Sequence, residues 1–174
     1  MPLPSSSYLY GPLTWFGALV AILVAAADQG VKLWLLFVFD LGAKAPVRLG
    51  PFFDLVLAWN TGISFSLFPQ VGPLGQWALV GVKTVAVLLL WVWLARAGSR
   101  LTALALGLII GGAVGNAVDR VAYGAVIDFV FFHVTTAGWS FRWYVFNLAD
   151  VAIVAGVIGL LYDSILGTDA AKAP

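Results

Sequence analysis

Long apolar segments organise the chain, and polar and aromatic residues gather in the stretches between them. Four apolar segments are evident, over approximately residues 13–39, 74–95, 101–118 and 143–166. Each is close to the roughly 20 residues with which a helix crosses about 30 Å of hydrocarbon. A single span in lipid must satisfy its own backbone hydrogen-bonding groups, and a helix does so. The pattern predicts an all-α membrane protein with four transmembrane helices, in a single integral membrane domain over residues 1–174.

The first segment also permits another interpretation, a cleaved secretory signal. Leu23-Val24-Ala25-Ala26-Ala27 resembles a cleavage site after an apolar run. Residues 1–12, however, contain no Lys or Arg, whereas a signal peptide begins with a positive region. The apolar run also resumes after Lys32. We therefore expect a retained helix.

The stretches at residues 40–73 and 119–142 are long loops rich in aromatic residues. Within the first, residues 55–60 and 63–68 are apolar runs separated by Thr61-Gly62. Two β-branched and aromatic runs around a glycine turn favour a short hairpin or an extended cradle. Because these runs are apolar, we expect the cradle to lie on the membrane surface.

Composition supports lipid as the solvent. The chain is 62% hydrophobic and 10% charged, whereas soluble domains average about 45–50% apolar and roughly 25% charged residues. The mean hydropathy is +1.01. A net charge of +1 offers no basic face for nucleic acid. With no Cys and one His, thiol catalysis and a His-rich or thiolate metal site are excluded.

Charge bias does not orient the protein. If the spans alternate, cationic residues divide almost evenly between the two sides of the membrane. The side with the termini carries Arg96, Arg100 and Lys172, and the opposite side carries Lys44, Arg48, Arg120 and Arg142.

Charged residues within the spans need an explanation, because each costs about 2.5–3.5 kcal/mol at mid-bilayer. Asp28 and Lys32 are four residues apart, which places them on one helix face within ion-pair reach. They form either a structural pair or part of the lining of a site. Lys83 has no acid three or four residues away, which is typical of a lysine whose long stem snorkels toward an interface.

The third span carries a stripe of small residues. Gly107, Gly111 and Gly115 are four apart and predict close approach of another helix. Asp119 continues the same stripe, so we expect its side chain to face the interior of the bundle.

Asn116, Asp119 and Arg120 form a polar cluster at the end of that span. Two interpretations remain open. The cluster is either a polar helix terminus, with Asp119 paired to Arg120 or another cation, or an amide and a guanidinium presented to a substrate.

Asp128 and Asp150 stand apart from the other acids near the membrane because neither has a Lys or Arg nearby in sequence. Two unpaired carboxyls in a dry site are stable when they share one proton, as in an aspartic protease dyad. Asn147 lies three residues before Asp150, near the start of the fourth span. The alternative is that both acids are structural and bond the local backbone.

Two other mechanisms fit some of these residues. A Ser/Lys peptidase would use Ser64 or Ser66 with Lys32 or Lys83. A small ion-coupled transporter also uses intramembrane Asp and Lys, but the inverted repeats that often accompany that class are not evident.

Four ordered blocks that span nearly the whole chain carry a family resemblance. They are Asp28-Gln29-Gly30-Val31-Lys32, Asn60-Thr61-Gly62-Ile63-Ser64-Phe65-Ser66, Gly115-Asn116-Ala117-Val118-Asp119-Arg120 followed by Val126-Ile127-Asp128-Phe129, and Phe146-Asn147-Leu148-Ala149-Asp150. In these blocks the chain resembles bacterial lipoprotein signal peptidase, also called signal peptidase II.

The resemblance implies an intramembrane aspartyl endopeptidase. Such enzymes remove the signal peptide from prolipoproteins, cutting just before a diacylglyceryl-modified cysteine. Asp128 and Asp150 match the family's catalytic aspartates, and Asn60, Asn116 and Arg120 match its substrate contacts. The other block residues expected to support the site are Asp28, Lys32, Gly62, Asp119, Asn147 and Ala149.

The resemblance also implies the setting. The expected partners are lipid-modified prolipoproteins, membrane lipid and the inhibitor globomycin, with no metal, organic cofactor or nucleic acid. We expect a monomer in the bacterial inner membrane, with cytoplasmic termini and an active site on the periplasmic or outer side. The loop around residues 48–68 would be the cradle at that surface.

Overall fold

The structure, a computed structural model, describes residues 9–44, 46–62 and 73–170. Within them lie four helices long and apolar enough to cross a membrane, so the predicted helical architecture is confirmed. The first continues through a π-helical turn at Trp34–Val38. The helices are α1 (Thr14–Leu33), α2 (Pro73–Leu94), α3 (Arg100–Tyr123) and α4 (Leu148–Ala170).

Two predicted helix ends are wrong. Helix α3 runs past residue 118 to Tyr123, because its last polar side chains find partners inside the bundle and do not end the helix. Gly124 ends it in the left-handed conformation, with φ of 71°, and its N–H bonds the Arg120 carbonyl. Helix α4 begins at Leu148 instead of residue 143, because Trp143–Phe146 belong to a strand.

A four-stranded antiparallel sheet lies between the helices in the chain order. Its strands are β1 (Val47–Arg48), β2 (Phe53–Asn60), β3 (Val126–Thr135) and β4 (Ser140–Phe146), paired in the order β1-β2-β3-β4. The predicted cradle is therefore a sheet, and the predicted loop at 119–142 is wrong, since most of it forms β3 and the turn into β4. Residues 63–68, predicted as the second run of a hairpin, lie outside the described residues.

The register of the sheet brings β2 and β3 together at one end. Ala58 lies opposite Asp128 and Asn60 opposite Val126, beyond an irregularity between Leu55 and Ala58. Asn60 therefore lies beside the first residues of β3, next to the end of α3.

Helix α3 occupies the centre of the bundle and packs through glycines. A Cβ atom at Gly111 would come within 2.6 Å of the Ala21 carbonyl oxygen on α1, and one at Gly115 within 2.7 Å of an Asp28 carboxylate oxygen. The predicted glycine stripe is thus a helix contact surface. A Cβ at Gly112 would meet the Ala149 carbonyl oxygen on α4 at 2.5 Å, so glycines contact two helices.

Chain order places the sheet at one end of the bundle. The strands follow the C-termini of α1 and α3 and precede the N-termini of α2 and α4. In spans that alternate in direction, these four ends lie on the same side. Polar side chains at those ends are therefore brought together.

Candidate active site

Two aspartates line one cavity at the end of the bundle that carries the sheet. Asp128 is the third residue of β3, and Asp150 lies in the first turn of α4. The cavity has a volume of about 180 Å³ and is also lined by Asn60, Asn116 and Arg120. Residues predicted from four separate parts of the sequence are thus collected around one space.

Asp128 is 3% exposed and bonds two amides. Asn60 Nδ2 donates to its Oδ2 at 3.1 Å, and Asn147 Nδ2 donates to its Oδ1 at 2.6 Å. Burial raises the pKa of Asp128 to about 6, and the charge of Asp150 acts in the same direction. The two amide hydrogen bonds lower that pKa, but burial has the larger effect.

Asp150 is placed by the start of its own helix. The Asp150 N–H donates to Asn147 Oδ1 at 2.9 Å, and the Asn147 N–H donates to Asp150 Oδ2 at 3.2 Å. This reciprocal pair is a capping box. The N-cap residue, Asn147, and the third residue of the helix, Asp150, each accept the other's backbone N–H with a side-chain oxygen. Asp150 therefore makes the backbone hydrogen bond that is expected of a structural acid. It also lines the cavity, as is expected of a site residue.

Amide side chains connect the two aspartates. Besides Asp128, the Asn147 amide lies 3.0 Å from Asn116 Oδ1. Asn116 Nδ2 in turn donates to Asp150 Oδ1 at 2.9 Å. Within the described residues neither aspartate has an ion-pair partner. Every described hydrogen bond to the two carboxyls therefore comes from a neutral donor.

Behind this pair lies a second, closed cluster, which we call the lysine cluster: Asp28, Lys32 and Asp119. All three are 0% exposed. Lys32 Nζ lies 2.7 Å from Asp28 Oδ2, 2.6 Å from Asp119 Oδ2 and 3.1 Å from Asn116 Oδ1. Its three N–H donors thus have three acceptors.

The lysine cluster identifies the cation that pairs with each of its two acids. Asp28 and Lys32 form the ion pair that their spacing indicates. Asp119 does face the interior, but its cation is Lys32 from α1 and not its neighbour Arg120. A lysine on another helix, 87 positions away, is nearer in space than the adjacent arginine.

Backbone groups attach the lysine cluster to the site. The N–H of Ala149 donates to Asp28 Oδ1 at 2.9 Å, and the N–H of Ile127 donates to Asp119 Oδ2 at 3.1 Å. Each of these residues directly precedes one of the two cavity aspartates. The cluster therefore fixes the backbone beside Asp128 and beside Asp150.

Gln29 is a supporting residue that the sequence interpretation did not single out. Its Nε2 donates to Asp119 Oδ1 at 2.7 Å and to the Gly115 carbonyl at 3.0 Å. The sequence signal that could have identified Gln29 is its polar amide side chain inside the first apolar span, next to Asp28. Gln76 was also missed, and its Oε1 accepts from Arg120 Nη1 at 2.8 Å.

Arg120 closes the cavity from the end of α3. It is 4% exposed, and its second terminal nitrogen donates to the Gly62 carbonyl. Its Nε is buried without a partner among the described residues. Gly62 is held in turn by its N–H, which donates to Asn60 Oδ1 at 3.0 Å. The arginine thus links α3 to the end of β2.

The Ser/Lys alternative receives little support. Lys32 uses its N–H donors on two carboxylates and on Asn116, while Ser64 and Ser66 lie outside the described residues. Lys83, by contrast, lines the same cavity as the two aspartates. Within the described part of the chain, no three His, Asp or Glu side chains gather in a way that would hold a metal ion.

Comparisons with known proteins identify the family of this chain. The family model described as "Signal peptidase (SPase) II" matches residues 20–166. Proteins named lipoprotein signal peptidase are 63% identical in Nitrobacter hamburgensis and 56% identical in Rhodopseudomonas palustris, each match covering 91% of this chain and 96% of the relative.

A solved structure described as a bacterial membrane enzyme has the same fold. It superposes with a TM-score of 0.73 at 22% identity, over 91% of this chain and 92% of that chain. The family match covers all the residues that line the cavity and form the lysine cluster. This chain belongs to the signal peptidase II family.

Proposed function

We propose that the chain removes the signal peptide from diacylglyceryl-modified prolipoproteins, with Asp128 and Asp150 as the catalytic pair. The observation that carries the proposal is that these two carboxyls line one cavity and are held by amides, with no ion-pair partner among the described residues. Family membership makes the chain a peptidase, and no feature of the comparisons favours a transporter.

The proposed chemistry follows from one proton shared by the pair. Two like charges near each other in a dry site do not both ionise readily, and the raised pKa of Asp128 supports this arrangement. One carboxylate takes a proton from the attacking water as general base. The protonated partner polarises the scissile carbonyl and later protonates the leaving amine.

Neutral and cationic donors around the pair orient the substrate. Asn60 and Asn116 each contact one aspartate, and the Arg120 guanidinium lines the same cavity. We assign these three side chains to the peptide backbone of the substrate. Gly62, Asn147 and Ala149 support them, because their backbone or side-chain groups fix Arg120, the aspartates and the lysine cluster.

The proposed setting is the bacterial inner membrane, with the sheet on the periplasmic or outer side. The chain acts there as a monomer on substrates that share its bilayer, and globomycin inhibits it. A chain without cysteine suits a labelling test of orientation. Gly138→Cys, in the turn between β3 and β4, should react with an impermeant maleimide in intact cells, while Gly98→Cys, between α2 and α3, should not. The reverse pattern contradicts this orientation.

Cleavage of a purified lipidated prolipoprotein tests the catalytic assignment. Asp128→Asn and Asp150→Asn should each lower turnover by about 10²–10⁴-fold or more, because each removes a proton-transfer group. Asp163→Asn is the matched control on α4, since Asp163 bonds Ser99 at the other end of the helix. Thermal unfolding should show that all three variants fold. Substantial cleavage by either dyad variant contradicts the assignment.

A further inference from the structure

Lys83 is a half-buried lysine beside the two aspartates that the proposed mechanism does not use. It lies on α2, lines the cavity of Asp128 and Asp150, and interacts electrostatically with Asp150. No residue in the described part of the chain forms a hydrogen bond or ion pair with its ammonium. Its three N–H donors are therefore available to a ligand.

Lys83 also lines a second space, an apolar groove between α2 and α3 of about 470 Å³. We call this space the α2–α3 groove. Among the described residues that line it, the only other polar one is Thr84, whose hydroxyl donates to the Val80 carbonyl in its own helix. Its remaining lining consists of Val80, Val87, Val114, Ala117, Val118, Val121 and Ala122. The groove therefore offers apolar walls and one cationic donor.

The position of Lys83 joins the groove to the reaction centre. Because the Lys83 side chain lines both spaces, a ligand in the α2–α3 groove that contacts the ammonium also lies at the edge of the cavity of Asp128 and Asp150. A ligand that fits has a hydrocarbon part, a hydrogen-bond acceptor at one end of it, and an attachment to the scissile peptide. An ester-linked acyl chain on the residue next to the cut has all three.

A groove on the other side of the dyad lacks the donor. It is lined by α4 and the end of β4 and has a volume of about 440 Å³, and among its described lining residues the one charged group is Asp150. A carboxylate repels an ester carbonyl oxygen, so the two grooves differ in the end group that they accept. The α4 groove suits an apolar peptide segment better than an ester.

We propose that the α2–α3 groove binds an acyl chain of the substrate's diacylglyceryl group, with the Lys83 ammonium donating a hydrogen bond to its ester carbonyl. This assignment rests on the proposed function and deepens it. Lys83 is then a specificity-determining residue that recognises the lipid and takes no part in proton transfer.

A double-mutant cycle between enzyme and substrate tests the assignment. Lys83→Met is compared with the unaltered protein on two synthetic prolipopeptides, one with ester-linked chains and one with ether-linked chains of equal length. On the ester substrate, Lys83→Met should raise KM roughly tenfold, as expected for loss of a hydrogen bond to a charged group, with kcat nearly unchanged. With the ether substrate, the KM of the unaltered protein should rise by a similar factor. The Lys83→Met substitution should then raise KM for the ether substrate no further.

Controls keep the outcome interpretable. Val82→Met, on the outward face of the same helix where Val82 is 70% exposed, should leave KM unchanged. Val118→Phe narrows the groove from α3 and should raise KM for long chains more than for short ones. Thermal unfolding should show that Val82→Met, Val118→Phe and Lys83→Met all fold.

Other results overturn the assignment. An equal loss of kcat on both substrates, with a shifted pH profile, would mean that Lys83 acts on the dyad. A KM effect that appears only in vesicles rich in anionic phospholipid would mean that it binds a membrane phosphate. An unchanged KM on the ester substrate would remove Lys83 from recognition while the proposed function stands. If the unaltered protein cleaves neither substrate, the proposed function itself fails.

Discussion

The lysine cluster and the aspartate dyad each contain two acids near amide side chains, and they differ in whether a cation bonds those acids. The cluster holds two carboxylates around Lys32, and all three residues are 0% exposed. The dyad carboxyls are hydrogen-bonded by amides and have no ion-pair partner among the described residues, beside a cavity of about 180 Å³. The comparison teaches that an ammonium with every donor used makes a pair of acids structural, whereas amides leave the acids able to exchange protons.

Lys32→Met is expected to have the largest effect on stability. It leaves Asp28 and Asp119 buried without their cation, and removing one partner of a buried ion pair costs about 3–5 kcal/mol. Denaturant unfolding in micelles measures the loss. Lys44→Met, at an exposed lysine, is the control and should change the free energy of unfolding little. A stable but inactive Lys32→Met protein would place Lys32 in the chemistry.

Asp28→Asn should have a smaller effect of the same kind. The variant keeps an oxygen that accepts from the Ala149 N–H, and Lys32 keeps Asp119, so we expect a loss of about 1.5–3 kcal/mol. Unfolding measurements and cleavage by the folded fraction are compared. Full stability with no cleavage would move Asp28 from the structural cluster into the reaction.

Asn60→Ala should produce the smallest effect, a shift of the pH profile by less than one pH unit. The Asn60 amide stabilises ionised Asp128, so its removal raises the pKa of Asp128 further. The singly protonated dyad is lost as pH rises through its upper pKa, so the alkaline limb of kcat/KM moves to higher pH. Thr61→Ala, at the exposed neighbour, should leave the limb in place. A shift to lower pH would contradict this role for Asn60.

The sequence predicted the helices best where apolar character alone decides the structure. Residues 13–39 and 74–95 agree closely with the helices at Thr14–Val38 and Leu74–Leu94. The predicted third span ends at residue 118, before Asp119 and Arg120, but interior partners of these side chains let the helix continue to Tyr123. The start of α4 was missed because the apolar run from Trp143 fits a strand as well as a helix.

The hairpin of β3 and β4 was not predicted because apolar residues follow one another without alternation. The first four residues of β3, Val126–Phe129, are all buried, so the period of two is absent. The partner of Asp119 was equally out of reach, since the local spacing pointed to Arg120. The unpaired state of Asp128 and Asp150 could be expected from sequence because it depends on the absence of nearby cations. Their meeting in one cavity depends on the pairing of β3 with β4, the strand that leads into α4, and the sequence pattern does not contain that pairing.

The capping box at the start of α4 has a consequence for slow exchange of backbone protons. Asp150 Oδ2 accepts the Asn147 N–H, so a ligand that takes that oxygen competes with the first turn of the helix. Binding of a ligand at the dyad therefore lowers the protection of the Asn147 amide proton from exchange. Deuterium uptake at Asn147 should thus report inhibitor binding without any reaction taking place.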